Sequence, residues 1–469
     1  MKKYYLLIVL AFSIIPIINS QITQIGTKIE GSENSLQAGA SISFNNEGTI
    51  LAVGYLKTNP FFEDLGMVRV FELQNNDWVQ KGSDLGNQNL DDKGFHVSIN
   101  GNGNVLAMST GSISGAGSIV TIYQFINEDW NLIGNPINTN NGYAQLNELG
   151  DTIIISDFSN EVTVYELIAN DWQIKGSIIN SEGVFLGINV DINNTGNIIA
   201  VSDFMGGSNE GNVFSNRIYL FENNQWNQIG NIETITNSLI SQSINLSNFG
   251  DAFLISSFRN DSIGDLFLES KIYKFENEIW SQTGNSIITS PIDELFYIEN
   301  ISAISADGNI VAIGNPKDDG NVMLYKLNNN QWSQLGDGIF GNGGEFGRAL
   351  SINEGTSRLS IGAPKFSDIG LLHGQVTSYE IDYSLFSTED NLYTPNIALL
   401  PNPTKGFLQI TSQNKLNITK LSVYDISGKL VLEEYNNKKQ IDISSFASGL
   451  LLVKVETNKG VITKKIIKE

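Results

Sequence analysis

All six tryptophans of the chain stand in one register, and this restricts the fold more than any other feature. Trp78, Trp130, Trp172, Trp226, Trp280 and Trp332 are spaced by 52, 42, 54, 54 and 52 residues. Each is followed four residues later by glycine: Gly82, Gly134, Gly176, Gly230, Gly284 and Gly336. Each is preceded seven residues earlier by an aromatic: Phe71, Tyr123, Tyr165, Tyr219, Tyr273 and Tyr325. Between the two runs an alternating strand and an Asn-rich turn, as in VRVFELQNNDW. Chance does not align every Trp of a chain, so this is an internal repeat with a period near that of propeller blades.

The rest of the unit is equally regular. Turn glycines recur at Gly48, Gly103, Gly150, Gly196, Gly250, Gly308 and Gly355, which counts seven units. The segments after them (LAVG, LAMS, IIISD, IIAVSD, FLISS, VAIG, LSIG) are almost continuously apolar, as strands buried on both faces should be. Each unit therefore holds four strands, A to D, which in the first unit read SISF, TILAVG, MVRVFEL and WVQKG. Helical periodicity is absent. Four antiparallel strands repeated seven times predict an all-β chain folded as a seven-bladed β-propeller of four-stranded blades. A solenoid is the alternative, but it needs capping repeats and has no reason to close.

The ends of the repeat predict closure. Gln21–Gly26 (QITQIG) matches the D strand, with Ile22 at the Trp position. The last unit offers A (Ala349–Ile352), B (Leu359–Gly362) and C (Val376–Ile381, with Tyr379 at the aromatic position) but no clear D strand. Pairing Ile22–Gly26 beside Val376–Ile381 would complete the last blade and remove exposed sheet edges.

Charge divides the chain. Residues 401–469 carry 11 Lys against 6 acids, whereas residues 21–400 carry 15 basic against 44 acidic side chains. So acidic a surface repels phosphate backbones, which excludes nucleic acid as an expected partner. The sign change near residue 400 marks a domain boundary. No cysteine is present, which removes disulfides, thiolate metal sites and a Cys nucleophile together. Met1–Ser20 has Lys2 and Lys3, an apolar run from Tyr4 to Ile18, and a small residue at its end. That is a signal peptide cut before Gln21, since the run is short for a bilayer span and no stop-transfer cluster follows. No other stretch is long and apolar enough to be a transmembrane segment.

Phe346-Gly347, Gly362-Ala363-Pro364 and Gly374-Gln375-Val376 resemble the FG-GAP repeats of integrin-type propellers, more weakly echoed in Gly314-Asn315-Pro316. Such repeats often carry a calcium loop between strands A and B. Here that loop reads NNEG, SADG or INEG, too short and too poor in carboxylates for six or more oxygen ligands. Calcium in the blades is therefore not expected.

Residues 384–398 read as a linker, and from Leu399 short alternating strands with Gly turns predict a small C-terminal β-sandwich. This tail resembles the C-terminal sorting domain of the type IX (Por) secretion system. The matching pieces are Pro401-Asn402-Pro403 with Gly406, Tyr424-Asp425 with Gly428-Lys429, Ser448-Gly449, and Lys464-Lys465-Ile466-Ile467 at the end. It departs where Tyr usually follows the Gly, since Leu450-Leu451 stands there. The resemblance implies the type IX secretion machinery as a partner, a Gram-negative bacterium of the Bacteroidota, and a secreted or outer-membrane cell-surface location, with the tail removed. The domain plan is thus signal peptide 1–20, propeller 21–383, linker 384–398 and sorting domain 399–469.

Chemistry is sparse. The two histidines, His96 and His373, are far apart and read as surface or turn residues. No GxSxG, HExxH or phosphate-loop pattern occurs. The pairs Asp91-Asp92 and Asp318-Asp319 read as solvated acidic loops. The Trp stripe reads as packing between blades rather than a sugar-stacking surface. No catalytic residue, metal ligand or cofactor is therefore assigned, and the ligand-binding residues stay open. The B–C and D–A loops, such as Tyr55–Gly66, Phe204–Gly211 and Ser257–Glu269, vary in length and share one face, where binding sits on rigid scaffolds. The expected function is a non-enzymatic binding module for an extracellular protein or glycan. The alternative is a secreted carbohydrate-active hydrolase or lyase with its carboxylates on that face.

Overall fold

A computed structural model describes residues 22–31, 36–57, 65–86, 93–111, 118–139, 142–157, 161–180, 185–208, 211–236, 243–260, 266–289, 301–353, 355, 357–367, 372–382, 397–400, 404–412, 418–425, 429–435, 438–457 and 460–468. The expected signal peptide, most of the linker and Asp91-Asp92 lie outside them. The described residues are all-β, without a helix.

Seven antiparallel sheets lie between Ile22 and Ile381, each with four strands in the order A-B-C-D, and three of them gain one further short strand. We number them 1 to 7 in chain order. Sheet 1 is Leu36–Phe44, Ile50–Lys57, Leu65–Gln74 and Asp77–Gln80. Sheet 7 is Ala349–Ile352, Arg358–Ala363 and Gln375–Ile381, with Ile22–Glu30 as its fourth strand. The register runs Ile22↔Ile381, Gln24↔Tyr379 and Ile25↔Ser378, then shifts before Ile29↔Val376. This is the pairing that the count of D strands predicts for the N-terminal segment.

Local chemistry fixes the hairpins. Each Asn-rich C–D turn holds two consecutive residues with positive φ, such as Asn75 and Asn76 (51° and 64°) or Asn223 and Asn224 (52° and 61°). Two-residue turns of this hand match the twist of the strands, and Asn tolerates the conformation best after glycine. The A–B turns follow a rule of their own. Asn45, Asn100, Asn147, Asn193, Ser247, Ser305 and Asn353 each accept the backbone N–H of the residue five further on, at 2.8–3.0 Å.

The core is divided between the sheets. Seven apolar clusters each join two sheets, six of them sheets that follow one another in the chain. The seventh joins sheet 7 to sheet 1, through Ile25, Ile29, Ala349 and Val376 on one side and Ile42, Leu51, Val53 and Trp78 on the other.

The Trp–Gly register works between sheets. The indole N–H of Trp130, Trp172, Trp226 and Trp332 donates to the carbonyls of Lys81, Ile133, Lys175 and Thr283, at 2.8–3.0 Å. Each acceptor directly precedes the repeat glycine of the previous sheet. A Cβ at Gly82 would lie 2.7 Å from Trp130 Cδ1, and Gly82 itself has a φ of +76°, so glycine is required twice over. Five of the six tryptophans are buried, and Trp280 is half-buried.

The tail forms two sheets. Ile397–Leu400, Phe407–Ser412 and Gln440–Asp442 make one; Leu430–Tyr435, Ile418–Tyr424, Gly449–Thr457 and Gly460–Lys468 make the other. A shared core includes Leu408, Ile410 and Ile441 from the first and Leu421, Val423, Val453 and Val455 from the second. Its first strand begins at Ile397, two residues before the expected boundary, because Ile397 and Ala398 pair with Ser412 and Thr411.

Candidate functional site

The A strands of all seven sheets line one cavity of about 180 Å³. Its wall is built by a second repeat rule, at the residue two before each A–B turn Asn or Ser. Ser43, Ser98, Asp191 and Ser351 hold this position in sheets 1, 2, 4 and 7, and each accepts a backbone N–H from the next A strand. The bonds are Ile99 N to Ser43 Oγ (3.1 Å), Leu146 N to Ser98 Oγ (2.9 Å), Leu246 N to Asp191 Oδ2 (2.7 Å) and Phe44 N to Ser351 Oγ (2.9 Å). The last joins sheet 7 to sheet 1. Gln145, Asn245 and Ala303 hold the position in the other three sheets, and all seven except Ser98 line the cavity.

At the A–B turn end, Glu148 of sheet 3 reaches across the cavity to two other sheets. Asn46 of sheet 1 donates to its Oε2 (2.7 Å), and the Asn248 amide of sheet 5 donates to its Oε1. Backbone bonds tie the turns as well: Asn46 N to Gly101 O (3.1 Å), Gly101 N to Glu148 O (2.8 Å) and Asn194 N to Asn248 O (2.9 Å). One end of the cavity is thus laced together by the turns.

His96 belongs to this wall, which corrects its reading as a surface or turn residue. It sits inside strand Lys93–Ile99, two residues before Ser98, with its ring edge-on to Tyr143 at 5.7 Å. Its imidazole bonds to the backbone of Ala144, and burial pushes its pKa down to about 4. His373 is buried too, edge-on to Phe366 at 5.5 Å, so it is no surface residue either. Sequence spacing missed the setting of His96 because its partners, Tyr143 and Ala144, come from the next sheet. Asp318 and Asp319 are exposed, as a solvated loop should be.

Burial pushes the Asp191 carboxyl up to about 7, although backbone bonds from Leu246 and Ile192 favour its ionised form. The surface Asp191 retains faces the cavity rather than bulk water. Its folded pKa lies above the ordinary carboxylate value, so the folded chain holds the proton where the unfolded chain has lost it. Asp191 therefore subtracts stability as pH rises from about 4 to 7. Replacing it by Ser, which makes the same inter-strand bond in three other sheets, should change little at pH 4. At pH 8 it should raise Tm relative to the native chain by a few degrees. Thermal melts across this range check it, and a pH-independent difference would refute the desolvated carboxyl. The other buried charges nearby, Asp203 and Arg217 of sheet 4, pair with each other at 3.1 Å.

Of the variable loops, residues 58–64, 209–210 and 261–265 lie outside the described residues. What is described corrects their reading as loops. Ile198–Ser208 pairs with Gly211–Glu222, and Ala252–Asn260 with Leu266–Glu276, so strands B and C run on as long hairpins. Strand pairing continues through Gly206–Ser208 and Phe258–Asn260, but glycine and charge hid it.

Four-stranded antiparallel sheets set around a shared polar cavity, with a two-sheet tail, define a propeller-like repeat protein carrying an appended module. Residues 398–469 match the family model described as the secretion system C-terminal sorting domain, and the tail is such a domain. It marks the protein as a bacterial client of the type IX secretion machinery, secreted or attached at the cell surface. A search of curated proteins finds no match. Among solved structures, the chain is similar to Kuenenia stuttgartiensis hydrazine synthase, with a TM-score of 0.51 and 10% identity over 72% of this chain and 96% of that one. At that identity the likeness concerns the fold alone.

Proposed function

We propose that residues 22–381 form a closed seven-bladed β-propeller of the FG-GAP-like kind. In this reading the protein is a non-enzymatic binding module, exported by a Gram-negative bacterium of the Bacteroidota. Closure is supported by the contacts between sheet 7 and sheet 1: a core cluster, the Ser351–Phe44 bond and the N-terminal strand. The partner is an extracellular protein or glycan, met on the face where the long B–C hairpins of sheets 4 and 5 end. The observation that carries the binding reading is the state of the cavity acids. Glu148 is engaged by two amides and Asp191 by two backbone N–H groups, so the two do not form a free acid–base pair. A secreted carbohydrate hydrolase is the second reading, favoured by the raised pKa of Asp191 in a cleft.

The purified protein, presented to arrays of extracellular proteins and glycans, should retain a partner without changing it. Turnover that disappears in Asp191→Ser or Glu148→Gln would favour the hydrolase. For export, mass spectrometry of secreted or surface material should find a chain that starts at Gln21 and lacks most of the region after Leu399. A full-length tail on the mature protein would count against removal.

A further inference from the structure

We propose that the cavity lined by the A strands is a binding site for a small aliphatic ammonium. The repeat supplies an internal control for this inference. At the position two before the turn, Ser43, Ser98 and Ser351 make the inter-strand bond with a neutral hydroxyl. The bond needs no charge, yet sheet 4 places a carboxylate there. Among the described residues neither Lys nor Arg lines the cavity, so none of them gives Asp191 a basic counter-ion in its wall. A buried carboxylate in that situation must take up a proton or a cation.

A second observation points the same way. His96 lines the cavity, and its Nδ1 is buried without a hydrogen-bond partner. With its imidazole neutral near pH 7, that nitrogen is an acceptor. Carboxylate, imidazole and the Gln145 amide oxygen together favour an occupant rich in N–H donors. Among the described residues, no group of three His, Asp or Glu side chains is placed to hold a metal ion. The acceptors are spread along the wall, which suits a short molecule better than a point charge. The volume, about 180 Å³, is small beside pockets for drug-sized ligands.

The test compares putrescine with 1,4-butanediol, its neutral analogue, by calorimetry on the full chain. Putrescine should bind, with the diol at least about tenfold weaker. Asp191→Ser should lose about tenfold or more toward putrescine while its melting curve shows a folded protein. Binding to the native chain should tighten from pH 6 to 8, because Asp191 gives up its proton to the solvent. The amine stays charged over that range, and the other titratable groups on the wall are His96, Tyr143 and Glu148. Equal binding of the diol, no putrescine binding at millimolar concentration, or a folded Asp191→Ser chain that binds as before would each overturn the proposal. Should Asp191→Ser fail to fold, Asp191→Asn and the diol comparison on the native chain decide it.

Discussion

A chain lacking Ile22–Glu30 is expected to lose the fold of the whole repeat region, not merely its first strand. The segment is the outer strand of sheet 7, paired from Ile22↔Ile381 to Glu30↔Gln375. Ile25 and Ile29 are buried in the cluster that holds Trp78, and Gly26 packs against that indole. Thr27 donates its N–H (2.7 Å) and hydroxyl (2.8 Å) to Asp77 of sheet 1. Removal would expose the backbone of Gln375–Ile381 as an open edge and uncover a core cluster. Truncating each buried Ile alone costs about 2–5 kcal/mol, against a total stability of about 5–15 kcal/mol for a typical domain. Aggregation or loss of the cooperative melt is the expected result, read by size-exclusion chromatography and thermal unfolding. A soluble deletion mutant melting like the native chain would disprove the closed ring.

The second large effect separates two tryptophans that look alike in the sequence. Trp226→Ala should cost about 3–5 kcal/mol. Its indole is buried, 4.9 Å from the Phe221 ring, and bonded to Lys175 O at 2.9 Å. Trp280→Ala should cost distinctly less. That ring is half-buried, and its Nε1 has no hydrogen-bond partner. The reason lies one sheet earlier: the D strand Gln225–Thr236 runs on through Gly230, which pairs with Ile218 instead of turning with a positive φ. Denaturant unfolding of the two variants gives the comparison, and equal losses would mean that the indole bond adds nothing.

The frame of the fold was legible because it repeats. Six Trp–Gly pairs marked the D strands, and the missing seventh was found as Ile22–Gly26 by counting. The cavity was not legible. Asp191, Glu148 and His96 come from three sheets, and no local spacing links residues brought together from different sheets. The turn rule at Asn45 and its equivalents was present but masked, since two units substitute Ser247 and Ser305, and the last places Gly355 one residue early. His96 was misread for a similar reason, because a lone imidazole carries no periodicity; His373 does stand in a loop, but a buried one. The long hairpins of sheets 4 and 5 interrupt their apolar runs with Gly206-Gly207 and Arg259, which imitates a loop.

The pairing of Ile22 with Ile381 also sets a timetable. The strand made first can find its neighbour only after nearly all the other sheets have been made, so assembly ends with its own beginning. Closing so long a loop adds little entropic penalty, because that term grows only with the logarithm of length. It does make the last step slow to reach, as contacts distant in sequence generally are. Until then the N-terminal segment must stay unpaired and unaggregated, and so must the open edge that awaits it. A secreted or surface-attached client therefore has a clasp that shuts late, and whatever holds its first nine strand residues open also decides when it becomes a folded cargo.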